Sequence, residues 1–247
     1  MSRLAARADM LPNHDELTQV LKQVQKENNG GFGFHMWAAV VDRDGVVKVV
    51  AFSGETRCQQ WPGSRVIAAQ KANTANAFSL PKFALSTANL YYATQPKGSL
   101  YGLQHSNPVN VQAAYGGVSE SYGTKADYMV GTKIGGVNVF GGGLPLYAKC
   151  GSLLGAIGVS GDSSCADHNI AWKIRHALEL DYVPAGVGYF DNIVNDFTSI
   201  MDTDIKDLGK CNGTAYSKSG WGHPVTSPEA ADIAREFVNT HPIRKAE

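Results

Sequence analysis

Apolar residues recur at three- and four-residue spacing over residues 15–27, at Leu17, Val20, Leu21 and Val24, which predicts an amphipathic helix. The run from Asn13 to Glu16 reads as its N-cap with acid in the first turn, and Asn28-Asn29-Gly30-Gly31 stops it. Residues 35–42 and 46–53 are β-rich, and the Asp-Gly in Asp42-Arg43-Asp44-Gly45 predicts a hairpin between them. Residues 64–78 carry Val66, Ile67, Ala69, Ala72, Ala75 and Phe78 at helical spacing. So many small side chains predict a helix that another backbone, or a flat ligand, approaches closely. Residues 79–138 lose all periodicity and hold Pro81, Pro96, Pro108 and the tyrosines 91, 92, 101, 115, 122 and 128. Irregular spans of this length in compact domains are usually functional or interfacial.

Pattern returns with a predicted strand at 137–140, the triplet Gly141-Gly142-Gly143, a strand at 144–148, a turn at 149–151 and a strand at 152–160. Asp162-Ser163-Ser164 then caps a helix over 165–178. Near the C-terminus, residues 229–238 form a short helix behind Thr226 or Ser227, with Pro228 in its first turn. Helices alternating with strands on short hairpin connections predict an α/β (α+β) fold in which an antiparallel sheet carries helices on one or both faces.

Composition narrows the partners. The chain of 247 residues balances 22 Lys+Arg against 22 Asp+Glu, which is no footprint for nucleic acid. No run approaches the 18 apolar residues of a membrane helix. Residues 1–12 lack the apolar stretch of a signal peptide. Cys58, Cys150, Cys165 and Cys211 show neither a CxxC pair nor metal spacing. Cys150 and Cys165 fall at opposite ends of the strand between them, too far apart to bridge. Reduced thiols and the missing leader together predict a cytoplasmic protein.

The familiar catalytic signatures GxSxG, HExxH and GxxxxGK[ST] are absent. Two Gly-rich places remain. Gly141–Gly143 before Leu144-Pro145 leaves amides open to a ligand or builds a β-bulge. Ser160-Gly161, ahead of a helix start, either binds a carboxylate or propionate there or yields that position to Asp162 as a cap.

The segments VVDRDG (40–45), SRVIAAQKANTANAFS (64–79), SLYGLQHSN (99–107) and GGGLPLYAKCGSLLGAIGVSGDSSCADHNIA (141–171) resemble the GlcG/HbpS family, which includes the haem-binding domain at the C-terminus of PduO-type proteins. The likeness runs over roughly residues 15–180. It implies a profilin-like fold with a central antiparallel sheet of about five strands, homo-oligomeric assembly, and haem as a cofactor. On that reading a domain spans 13–180 with a Tyr-rich insertion around 80–136, and residues 181–247 wrap the domain or a neighbouring subunit. A small ligand sits between the Lys71 helix and the strand ends, near Lys71, Thr74, Gly142, Gly143, Pro145, Ser160 and Gly161. Lys71, or less simply Arg65 at the helix start, pairs with propionates. Because the family shares no single iron ligand, His35, His105 and His168 all stand as candidates, with His14 behind them. The competing expectation is a metal-independent enzyme acting on a small carboxylate or carbonyl metabolite, with Lys71, Ser160 and Asp167 or His168 as its catalytic groups.

Overall fold

A computed structural model of the chain describes residues 10–198 and 216–247. Cys211 lies outside the described residues. The elements run α1 (His14–Gln25), β1 (Trp37–Asp42), β2 (Val47–Phe52), α2 (Ser64–Ala77), the short α3 (Leu103–Ser106) and α4 (Val111–Tyr115), β3 (Gly143–Tyr147), β4 (Leu153–Ser160), α5 (Ser164–Ala177), the two-residue strands β5 (Phe197–Thr198) and β6 (Tyr216–Ser217), and α6 (Pro228–Thr240). β1 to β4 form one antiparallel sheet in the order β2-β1-β4-β3, so the class is as expected with four strands in place of about five. The missing one is 137–140. There the amide of Asn138 donates to Thr74 Oγ1 and that of Phe140 to Asn138 Oδ1, so these donors satisfy side chains instead of a ladder.

Local signals account for the element ends. Asn13 accepts from the amides of Asp15 and Glu16 while Glu16 reaches back to the amide of Asn13, a reciprocal cap that satisfies donors the helix leaves free. The Asp42–Gly45 turn closes through Gly45, whose φ of +76° suits a residue without a Cβ. At α6, Ser227 accepts from Ala230 with Pro228 in the first turn.

The sheet is covered on both sides, which is why β1 reads as an unbroken apolar run. Ala38 and Val40 pack with Leu17 and Leu21 of α1, Ile170 and Ile174 of α5 and Phe237 of α6. Trp37, Ala39 and Val41 face Val66, Ala68, Ala69 and Ala72 of α2. The irregular span closes one edge of the sheet: Val47 donates to Thr132 O (2.9 Å) and Gly131 to Val47 O (2.8 Å). At the other edge Tyr147 donates to Leu180 O (2.9 Å), so both outer strands lose their open ladders.

Arg65, in the first turn of α2, is not free for a propionate. Its guanidinium is buried, grips Asp127 through Nε (2.8 Å) and Nη2 (2.5 Å), donates to Ala114 O (2.7 Å) and lies 3.6 Å from the Tyr122 ring centroid. This pins the Tyr-rich segment onto the first turn of α2. The C-terminal segment packs on its own chain: Phe237 stacks on Trp172 of α5 at 5.4 Å, and Arg175 clamps Asp191 with both terminal nitrogens. No helix among the described residues is long and apolar enough to cross a membrane.

Candidate functional site

The strand ends and α2 meet at Lys71. Its ammonium, 2% exposed, lies 2.7 Å from Asp167 Oδ2 and donates to Val159 O at 3.1 Å. The other Asp167 oxygen accepts from the Asp162 amide (2.9 Å). Burying a charge is costly unless it is paired and hydrogen-bonded, and here each charge has its partner inside the chain.

The glycines around this pair serve close packing. A Cβ on Gly142 would come within 3.2 Å of Lys71 Nζ and 2.4 Å of Val159 O, and its φ is +117°. One on Gly143 would meet Lys71 O at 2.5 Å, and one on Gly158 would meet Ala68 O at 1.9 Å. The backbones of α2 and β4 therefore touch, and the layer between them has no width for a porphyrin. Two of the three Gly-triplet amides are engaged, Gly141 with Ser164 Oγ and Gly143 with Thr87 Oγ1, both at 2.9 Å. Thr74 is buried and bonds Gln70 O, and Pro145 O accepts from Arg175. Ser160 ends β4 and Gly161 follows it, both buried. Ser163, not Asp162, occupies the N-cap of α5; the Asp162 carboxylate instead accepts from the amides of Phe32, Phe34 and Ser163, stapling the loop before β1.

The histidines divide by environment. His168 is fully buried, with Nε2 held between Asn192 Oδ1 (3.0 Å) and the Ile193 amide (3.1 Å). His105 is exposed on α3, and His14 Nε2 is bonded to Gly123 O. His35 is half-buried beside Ser53, Nδ1 to Oγ at 3.1 Å, and Ser53 Oγ also accepts from the Met36 amide (2.8 Å). The loop carrying His35 exposes Phe32 and Phe34, stacked at 5.3 Å, with Trp61 5.5 Å beyond Phe34. Among the described residues no group of three or more His, Cys, Asp or Glu is placed to hold a metal ion. Cys58 and Cys150 are exposed free thiols and Cys165 is a buried one.

Sequence reading missed one constellation. Ser164, at the first position of α5, meets His223 from the C-terminal segment, Oγ to Nε2 at 2.8 Å. Only the fold brings these residues together across 59 positions, so spacing could not reveal them.

The match to a family model covers residues 13–175, described as haem degrading protein HbpS-like. The chain belongs to the HbpS-like family. Solved structures similar to this HbpS-like chain include a PduOC:heme complex (25% identity, 68% of this chain and 94% of that one, TM-score 0.47). Protein ORFY of Klebsiella pneumoniae aligns at 23% identity over 72% of this chain and 90% of that one, TM-score 0.46. A double mutant of HbpS from Streptomyces reticuli aligns at 19% over 68% and 89%, TM-score 0.43. No curated protein matches the chain.

Burial sets the acid response of this HbpS-like chain. It pulls His168 down to about 3 and His223 to about 4, while it pushes Asp167 up to about 6 against the opposing pull of Lys71. Unfolded imidazoles protonate below 6.5, so the stability of keeping these two neutral is complete above that pH and is lost as pH falls toward their folded values. Asp167 runs the other way: its contribution is present below its unfolded value of 3.8 and is lost as pH rises through about 6. From pH 6 to 4 these two imidazoles oppose this one carboxyl and together take up about one net proton on unfolding, roughly 1.4 kcal/mol per pH unit, and the lowered His241 and Asp196 act in the same direction, so stability falls on acidification. Urea midpoints measured at these two pH values check this, and a midpoint that rises on acidification contradicts it.

Proposed function

We propose that this chain binds haem through His35 at the edge of the molecule, and not between α2 and the strand ends. The carrying observation is the anchored imidazole: Nδ1 lies 3.1 Å from Ser53 Oγ, and the tautomer that donates Nδ1–H to that oxygen leaves the Nε2 lone pair for a metal, the arrangement that orients ligating histidines. The neighbouring Phe32, Phe34 and Trp61 expose apolar rings of the kind a porphyrin face covers. Membership of a haem-degrading family and the haem held by the PduOC relative support the choice of ligand. Bound haem supplies an iron centre whose potential and reactivity follow its axial ligand. Ser53 holds the ring, and the aromatic loop shields one side from water.

Haem titration followed at the Soret band tests this. A saturable shift of one haem per chain is expected, lost or moved in wavelength in His35→Ala and unchanged in His105→Ala. An unaltered Soret band in His35→Ala moves the iron to another ligand.

A further inference from the structure

A second pairing of side chains does not involve His35. Ser164 Oγ accepts the Gly141 amide (2.9 Å) and lies 2.8 Å from His223 Nε2. His223 Nδ1 lies 2.7 Å from Pro224 O, an atom that only accepts, so Nδ1 carries the ring proton and Nε2 the lone pair. The serine proton is then directed at Nε2. This is a hydroxyl, a base and a third group orienting the base, the arrangement that activates a serine nucleophile. The imidazole is buried while Ser164 is half-buried, so the base is shielded and the nucleophile is reachable.

Three further features suit acyl chemistry. Ser164 opens a helix of 14 residues, where amides without intrahelical acceptors favour a developing negative charge. The Tyr91 ring packs on His223 at 5.0 Å, and Phe140, 47% exposed, is 6.2 Å from Tyr91, which supplies an apolar aromatic surface beside the hydroxyl. Cys165 does not compete for the role: burial pushes its thiol pKa up, and its Sγ is 4.0 Å from His223 Nδ1.

We propose that Ser164 and His223 form a nucleophile–base pair that accepts acyl groups from esters of small apolar or aromatic acids. Ser164 Oγ bonds to the ester carbonyl carbon as its proton passes to His223 Nε2. The bond to the leaving alkoxide breaks and His223 returns the proton to it. Water then attacks the Ser164 ester, giving a proton to Nε2, and the serine oxygen takes that proton as the free acid departs. Pro224 O steadies the transient imidazolium.

The test uses the full chain, without haem, and a fluorophosphonate probe, with the adduct located by peptide mass spectrometry. One adduct per chain on Ser164 is expected, absent after urea unfolding and in Ser164→Ala. His223→Gln is expected to slow labelling about 100-fold, the scale of a lost general base. A native wild-type chain that stays unlabelled at Ser164, or is labelled equally on other hydroxyls, overturns the proposal without any variant. Labelling at an undiminished rate in a folded His223→Gln chain, checked by circular dichroism, also overturns it and leaves the contact as a tether for the C-terminal segment.

Discussion

Replacing Lys71 with alanine is expected to lower stability by about 3–5 kcal/mol, the scale for breaking a buried ion pair from one side. The Asp167 carboxylate would keep the Asp162 amide but lose the cation 2.7 Å away, in a place where water does not reach. Asp167→Ala strands Lys71 in the same way, with Val159 O as its remaining partner among the described residues. The double replacement Lys71→Met with Asp167→Leu is expected to recover most of the loss, because two apolar side chains of similar volume leave no charge uncompensated. Urea unfolding of the parent and the three variants measures these losses side by side. Single variants as stable as the parent would mean that these two groups are not spent on each other and are open to a ligand's carboxylates, the role first expected for Lys71.

Gly158→Ala is expected to be worse. The added methyl would sit 1.9 Å from Ala68 O and 2.5 Å from Ala72 N, and both obstacles are helix backbone. No rotamer change relieves them, so α2 must lift off β4, taking Ala68, Ala69 and Ala72 out of the core. A loss above about 4 kcal/mol, or failure to fold, follows. Gly63→Ala, at the start of the same helix with nothing within 4 Å of its missing Cβ, is the control and is expected to stay near wild type. Circular dichroism and thermal melting of the pair decide the matter; a Gly158→Ala chain that melts with the parent removes the claim that α2 and β4 are in backbone contact.

Features written in neighbouring residues were legible. The Asp-Gly hairpin, the Asn13–Glu16 cap and the Pro228 helix start each rest on a few consecutive positions, and each is found where expected. The small residues of α2 did announce a close approach, but a periodic pattern does not name what approaches. The partner is Gly158, which sits 90 positions away from Ala68 in sequence, so the space expected for a ligand is filled by the sheet. Lys71 and Asp167 both stood among the candidate catalytic groups, yet only the fold reveals that they pair with each other. The strand expected at 137–140 failed because its amides found Thr74 and Asn138 side chains, a choice invisible to β-propensity. His223 lay in a Gly-broken run that carried no signal at all.

Arg65 gives the irregular span a standing that its lack of helices and strands conceals. Asp127 is the only carboxylate on that guanidinium among the described residues, and it comes from the span itself. Trimming the segment to leave a leaner family core would therefore maroon a permanent cation under what had been its roof. The loop and the first turn of α2 have to be inherited, engineered or lost as one piece.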